Sequence, residues 1–150
     1  MRRSTQSNSR KQFIGTWRLV SYKIRDSRNS FHYPLGKNAI GLLMYDAAGN
    51  MSGQLMNAKR NRYAGDNLGT GTQKEMSLAM KSYLAYFGTY RVNEREKSIT
   101  HIVRGSLFPN WTGSRQKRYY RITGNSLVLS AGFILDDEEH TAILTWKRRA

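Results

Sequence analysis

The chain has no cysteine and only two prolines in 150 residues. Without cysteine there is no disulfide framework, no thiolate nucleophile and no sulfur ligand for a metal. A domain of this length buries about two-thirds of its unfolded surface and needs no such staple. Secreted binding barrels of this size often carry a disulfide, so the expected location is cytoplasmic. No apolar run is long enough to span a bilayer, and residues 1–12 lack the apolar centre of a secretory signal. That segment holds Arg2, Arg3, Arg10 and Lys11 with no acid, and is expected to be a disordered basic tail before a domain covering 13–150.

Motifs for bound groups are equally scarce. The three histidines, His32, His101 and His140, are far apart without ligand spacing, so no metal site is expected. Gly69-Thr70-Gly71 lacks the Gly-Lys-Ser/Thr of a phosphate loop, and the acidic run 136–139 lacks the spacing and glycine of a calcium loop. No nucleophile elbow and no long-period repeat is present. No cofactor is expected.

What the chain does have is aromatic and alternating. Nine Tyr, five Phe and three Trp sit in a sequence that is 39% hydrophobic, enough for a packed core. Period-two runs cover 13–25, 39–45, 50–56, 88–92, 97–106, 115–123, 126–130 and 141–147. Tyr33-Pro34-Leu35-Gly36, Asp46-Ala47-Ala48-Gly49 and Gly124-Asn125 supply turns between them. One segment breaks the pattern. Residues 58–72 are polar and glycine-rich, and Thr72-Gln73-Lys74-Glu75 then offers a capping box. Met76, Met80, Tyr83, Leu84 and Phe87 follow at helical spacing, which predicts one amphipathic helix over 73–86. The fold class is all-β: about eight antiparallel strands in an up-and-down barrel with one inserted helix. An open sheet with a helix on one face is the alternative.

Basic residues outnumber acidic ones 25 to 10, a net charge of +15. This favours weak, non-specific polyanion binding and motivates a nucleic-acid-binding alternative, with Lys117-Arg118-Tyr119-Tyr120-Arg121 as its exposed Tyr–Arg stretch. Seven of the positive charges lie at the chain ends, and the remainder are scattered singly.

Gly15-Thr16-Trp17 resembles the Gly-X-Trp start of lipocalins. With Tyr33-Pro34-Leu35-Gly36, Gly41-Leu42-Leu43-Met44-Tyr45, Met51-Ser52-Gly53-Gln54-Leu55-Met56, Tyr83-Leu84-Ala85-Tyr86-Phe87-Gly88-Thr89-Tyr90 and Gly105-Ser106-Leu107-Phe108-Pro109-Asn110-Trp111, the chain resembles a bacterial and fungal lipocalin-like domain family over 13–146. The resemblance implies a barrel with a ligand cavity and a Trp packed across its narrow end. Some relatives lie beside biosynthetic genes, and small barrels of this kind have been recruited as cyclases or isomerases.

A barrel cavity needs apolar walls with a few convergent polar groups. On 97–106, Arg104 prefers water, which turns Ile99, His101 and Val103 inward. The same alternation places Tyr45, then Tyr86 and Tyr90, inside, and assigns Gln54 with Ser52 and Met56 to one face. Arg118, Tyr120 and Ile122 share a face, so Arg118 can meet a ligand carboxylate or enolate near the mouth. The candidate ligand residues are therefore Tyr45, Gln54, Met56, Tyr86, Tyr90, His101, Arg118 and Tyr120, with His101 and Tyr90 catalytic if the protein is an enzyme. Each also has a bland reading: a satisfied core histidine, aromatic barrel packing, an arginine snorkelling at the rim. Loop 58–71, with Arg60, Arg62 and Tyr63, is the better candidate for a mobile gate, and 107–111 is either a lid flap or a plug over one barrel end. The function expected is binding of a small apolar or aromatic metabolite, either as a carrier or as a cofactor-independent cyclase or isomerase.

Overall fold

In the computed structural model, which describes residues 8–149, the alternating segments pair into one antiparallel sheet that closes on itself. The strands are β1 (Gly15–Arg25), β2 (Phe31–His32), β3 (Ile40–Tyr45), β4 (Asn50–Met56), β5 (Tyr83–Asn93), β6 (Ser98–Ser106), β7 (Arg115–Thr123), β8 (Ser126–Leu135) and β9 (Glu138–Arg148). Eight of them go round the barrel in chain order, and β2 is a two-residue extra strand on β1. Closure is made by β1 against β9, from Trp17↔Arg148 to Arg25↔Thr141. This excludes the open sheet.

Alternation decides which side chains enter the lumen. On β6, Ile99, His101 and Val103 are buried while Arg104 is exposed, as its charge requires. On β1 a bulge between Leu19 and Ser21 breaks the parity, so Trp17 and Leu19 face in before it, and Ile24 after it. A second irregularity, at Phe87/Gly88 on β5, demands glycine: a Cβ on Gly88 would lie 1.9 Å from the Ile102 carbonyl oxygen.

Three boundaries depart from the sequence reading. The helix α2 is Gln73–Lys81, not 73–86. Its capping box forms as expected, Glu75 N–H donating to Thr72 Oγ1 at 3.1 Å and Thr72 N–H to Glu75 Oε1 at 2.9 Å. It stops because Tyr83, Leu84 and Phe87 satisfy helical and strand periods equally, and pairing with β4 claims them for β5. The β8–β9 hairpin is longer than 126–130 and 141–147, because Asp136 and Asp137 both take positive φ (50° and 60°) and make a two-residue turn. Finally, the expected tail is helical at Asn8–Phe13, α1, while residues 1–7 lie outside the described residues.

The α1 end of the barrel is filled solid. Phe13 and Trp17 are fully buried, and Phe13 meets Tyr45 and Tyr120 edge-on at 5.5 and 4.9 Å. Trp17 Nε1 donates to the Phe13 carbonyl at 2.8 Å. The Arg148 guanidinium lies 4.2 Å from the Trp17 ring centroid and donates to the carbonyls of Ile14 and Gln12. Such a cation–π contact contributes about 0.5–2 kcal/mol. It ties the first strand to the last.

Candidate functional site

The opposite end of the barrel is hollow. A cavity of about 450 Å³ lies between Tyr22 and Ile24 of β1, Leu43 of β3, Gly53 and Leu55 of β4, and Leu84 and Tyr86 of β5. Gln116 and Arg118 of β7, Leu129, Ala131, Gly132 and Phe133 of β8, and Ala142, Leu144 and Trp146 of β9 complete the ring. Trp111, from a 3-10 turn at Pro109–Trp111, is the one lining residue among the described residues that lies outside the strands, its ring edge-on to Tyr86 at 5.7 Å. The volume lies within the roughly 300–1,000 Å³ of sites that enclose small ligands. Small side chains at Gly53, Ala131, Gly132 and Ala142 leave the space open.

Polar groups in this wall are few. Arg118 donates to Gln116 Oε1 at 2.6 Å, and the Gln116 amide nitrogen donates to Ser114 Oγ at 3.2 Å. The ion pair found among the described residues is Lys117–Glu96 on the outside, so Arg118 has no carboxylate within 4.0 Å. Trp146 is 2% exposed and its Nε1–H has no hydrogen-bond partner among the described residues. Burial pushes the Tyr22 hydroxyl pKa up, Arg118 opposing the shift and Tyr86 adding to it.

Behind Tyr86 lies a buried chain of three rings. Tyr86 Oη is 3.0 Å from His101 Nδ1, and Tyr45 Oη is 2.7 Å from His101 Nε2. His101 is wholly buried. Burial first, and then the nearby Arg118 charge, lowers its pKa from 6.5 to about 3, so the ring is neutral at physiological pH. Burial likewise raises the Tyr45 pKa well above its ordinary value.

The residues singled out in the sequence separate into four groups. Tyr86 and Arg118 line the cavity. Tyr45 and His101 stand behind Tyr86, while Tyr90 and Tyr120 belong to the packed end. The Tyr90 hydroxyl donates to the Asp46 carbonyl at 2.7 Å. Gln54 and Met56 must be corrected: they face outward, where Gln54 Oε1 accepts from Tyr83 Oη. Met51, Gly53 and Leu55 take the inner face instead. Apolar residues occupy both faces of this strand, so its parity was ambiguous, and a one-residue slip exchanges every side chain.

Tyr22 and Trp146 were missed, and Trp111 was read only as part of the segment 107–111 over one barrel end. A signal for Tyr22 existed in the step from Trp17 and Leu19 to Tyr22 and Ile24, where apolar residues change parity. Loop 58–71 contributes no lining residue; Arg60 donates to Ala79 O and Ser82 Oγ, and Ala64 N–H to Glu75 Oε2, folding it onto α2. On the outer surface Arg10, Arg91, Arg104 and Arg115 line a separate groove. Among the described residues no helix is long and apolar enough to cross a membrane.

A closed barrel, plugged at one end and hollow at the other, with a mostly apolar wall, is a barrel of the lipocalin type. The chain belongs to the lipocalin-like domain family, whose model matches residues 14–149. It is also 32% identical over 106 residues to the 4'-hydroxy-3'-methoxypropiophenone carrier protein of Aspergillus oryzae, covering 65% of this chain and 96% of that one.

Proposed function

We propose that the protein is a carrier that encloses a small, mostly apolar aromatic metabolite in the hollow end of its barrel. The observation that supports this most is the cavity itself, ringed by aliphatic and aromatic side chains and dotted with isolated polar groups. The similar Aspergillus protein is named as the carrier of a phenolic ketone, which suggests the ligand class. A catalytic role finds less support. No Asp, Glu or His lines the cavity, and the candidates His101 and Tyr90 spend their polar atoms on buried protein partners. We place this carrier in the cytoplasm, which cell fractionation with a specific antibody tests.

Isothermal titration with para-hydroxypropiophenone tests the binding. One saturable site per chain is expected, with Trp111 and Trp146 fluorescence changing as it fills. Absence of saturable binding by this and related phenolic ketones would reject the reading.

The four-arginine groove supports a second reading, contact with a polyanion. Engagement of four phosphates on a single strand requires log K to fall with log salt at a slope of about −3. A slope near zero removes this reading.

A further inference from the structure

The cavity's hydrogen-bonding polarity can be derived by counting protons along the buried ring chain. Tyr45 is 2% exposed, and its hydroxyl has a single hydrogen-bond partner among the described residues, His101 Nε2. If Nε2 carried the histidine proton, it would donate to Tyr45, and the Tyr45 O–H would be buried without an acceptor. Leaving a buried donor unmade is the costlier arrangement. Tyr45 therefore donates to Nε2. The neutral ring then carries its one proton on Nδ1 and donates it to Tyr86 Oη, 3.0 Å away. Tyr86 has no other protein partner among the described residues, and it lines the cavity. Its own O–H is left to point at whatever fills that space.

Two further polar groups there have the same sense, while the Tyr22 hydroxyl in the wall can either donate or accept. Among the described residues, Trp146 Nε1–H is a buried donor with no acceptor, and Arg118 is a cation with no carboxylate within 4.0 Å. The Gln116 carbonyl already accepts from Arg118 at 2.6 Å, which leaves it a weaker competitor for a ligand donor.

We propose that Tyr45 and His101 lock the Tyr86 hydroxyl as a donor to the cavity, so that the site selects a ligand with a carbonyl oxygen for Tyr86 and an acidic hydroxyl, held as its oxyanion, for Arg118. The inference deepens the carrier reading and rests on it for the identity of the site. His101 acts through Tyr86 and is a positioning residue.

Two measurements test it. Long-range proton–nitrogen NMR on protein labelled in its histidines reads the tautomer of His101, whose signals are identified by their loss in His101→Gln. Protonation at Nδ1 is expected; an Nε2–H ring would overturn the proposal while leaving the carrier reading intact. The second measurement pairs para-hydroxypropiophenone with para-propylphenol, which has a similar shape but no carbonyl. Tyr86→Phe is expected to weaken the ketone by about tenfold and the propylphenol by less than about twofold. Tyr45→Phe, remote from the cavity, should narrow the same preference, because the histidine tautomer is then released. Bound ketone should show the red-shifted absorption of its phenolate at neutral pH in the wild type and not in Arg118→Gln. Equal weakening of both probes by Tyr86→Phe, or a bound phenol that stays neutral in the wild type, would overturn the ligand assignment. Failure of every phenolic probe to bind would instead bring down the carrier reading, with the tautomer still deciding the donor role of Tyr86.

Discussion

His101 couples the buried chain to pH. In the folded protein burial holds its pKa near 3, against 6.5 for the exposed side chain. The unfolded chain therefore takes up the proton first as pH falls. The stability tied to a neutral His101 is complete above pH 6.5 and drains away as pH drops towards 3, at about 1.4 kcal/mol per pH unit. Urea unfolding of wild type and His101→Leu at several pH values checks this: the wild-type curve should be steeper by one proton, and parallel curves would contradict it. His101 and Tyr86 were legible as inward-facing because a charged neighbour on each strand, Arg104 or Arg91, had to face water, and Tyr45 because it shares a face with Leu43 and Gly41. Their linkage into one chain was not legible. It depends on β3, β5 and β6 converging, and nothing in local spacing reports which inward rings touch.

At the scale of elements, the strands were readable where one face was clearly polar and became ambiguous elsewhere. Arg115–Thr123 alternates so cleanly that its faces follow from the residues alone. Residues 83–87 fit two periods, and only the β4 partner resolved them. The Gly88 position gives a direct check on the β5 irregularity. Gly88→Ala should lower the unfolding free energy by more than about 2 kcal/mol, because the new methyl group collides with the Ile102 backbone and not with a movable side chain. A neutral substitution there would mean that the strand can relax.

Helix α2 has no buried residue, with Met76, Leu78 and Met80 all more than 40% exposed, so it is held by its caps and by loop 58–71. Thr72→Ala should cost the helix about 1 kcal/mol. Hydrogen exchange across Gln73–Lys81 should quicken, while the barrel's Tm changes little. A cooperative loss of both would show that the helix is part of the barrel's folding unit.

For the whole molecule, one barrel serves two ends with opposite demands. Aromatic residues packed against α1 and the Trp17–Arg148 contact close one end and give the walls something rigid to stand on, and the small residues of β4, β8 and β9 leave the other end empty. The closed barrel was readable from eight alternating runs and the Gly15-Thr16-Trp17 start. How the lumen divides into plug and cavity was not, since tyrosines were expected throughout it. The most direct measurement is a titration of para-hydroxypropiophenone into the wild type and into Ala142→Phe, which places a ring inside the lumen. Expected is one molecule bound per wild-type chain, with affinity lost in the variant while its Tm is held or raised. Unimpaired binding by a folded Ala142→Phe protein would contradict a ligand site inside the barrel.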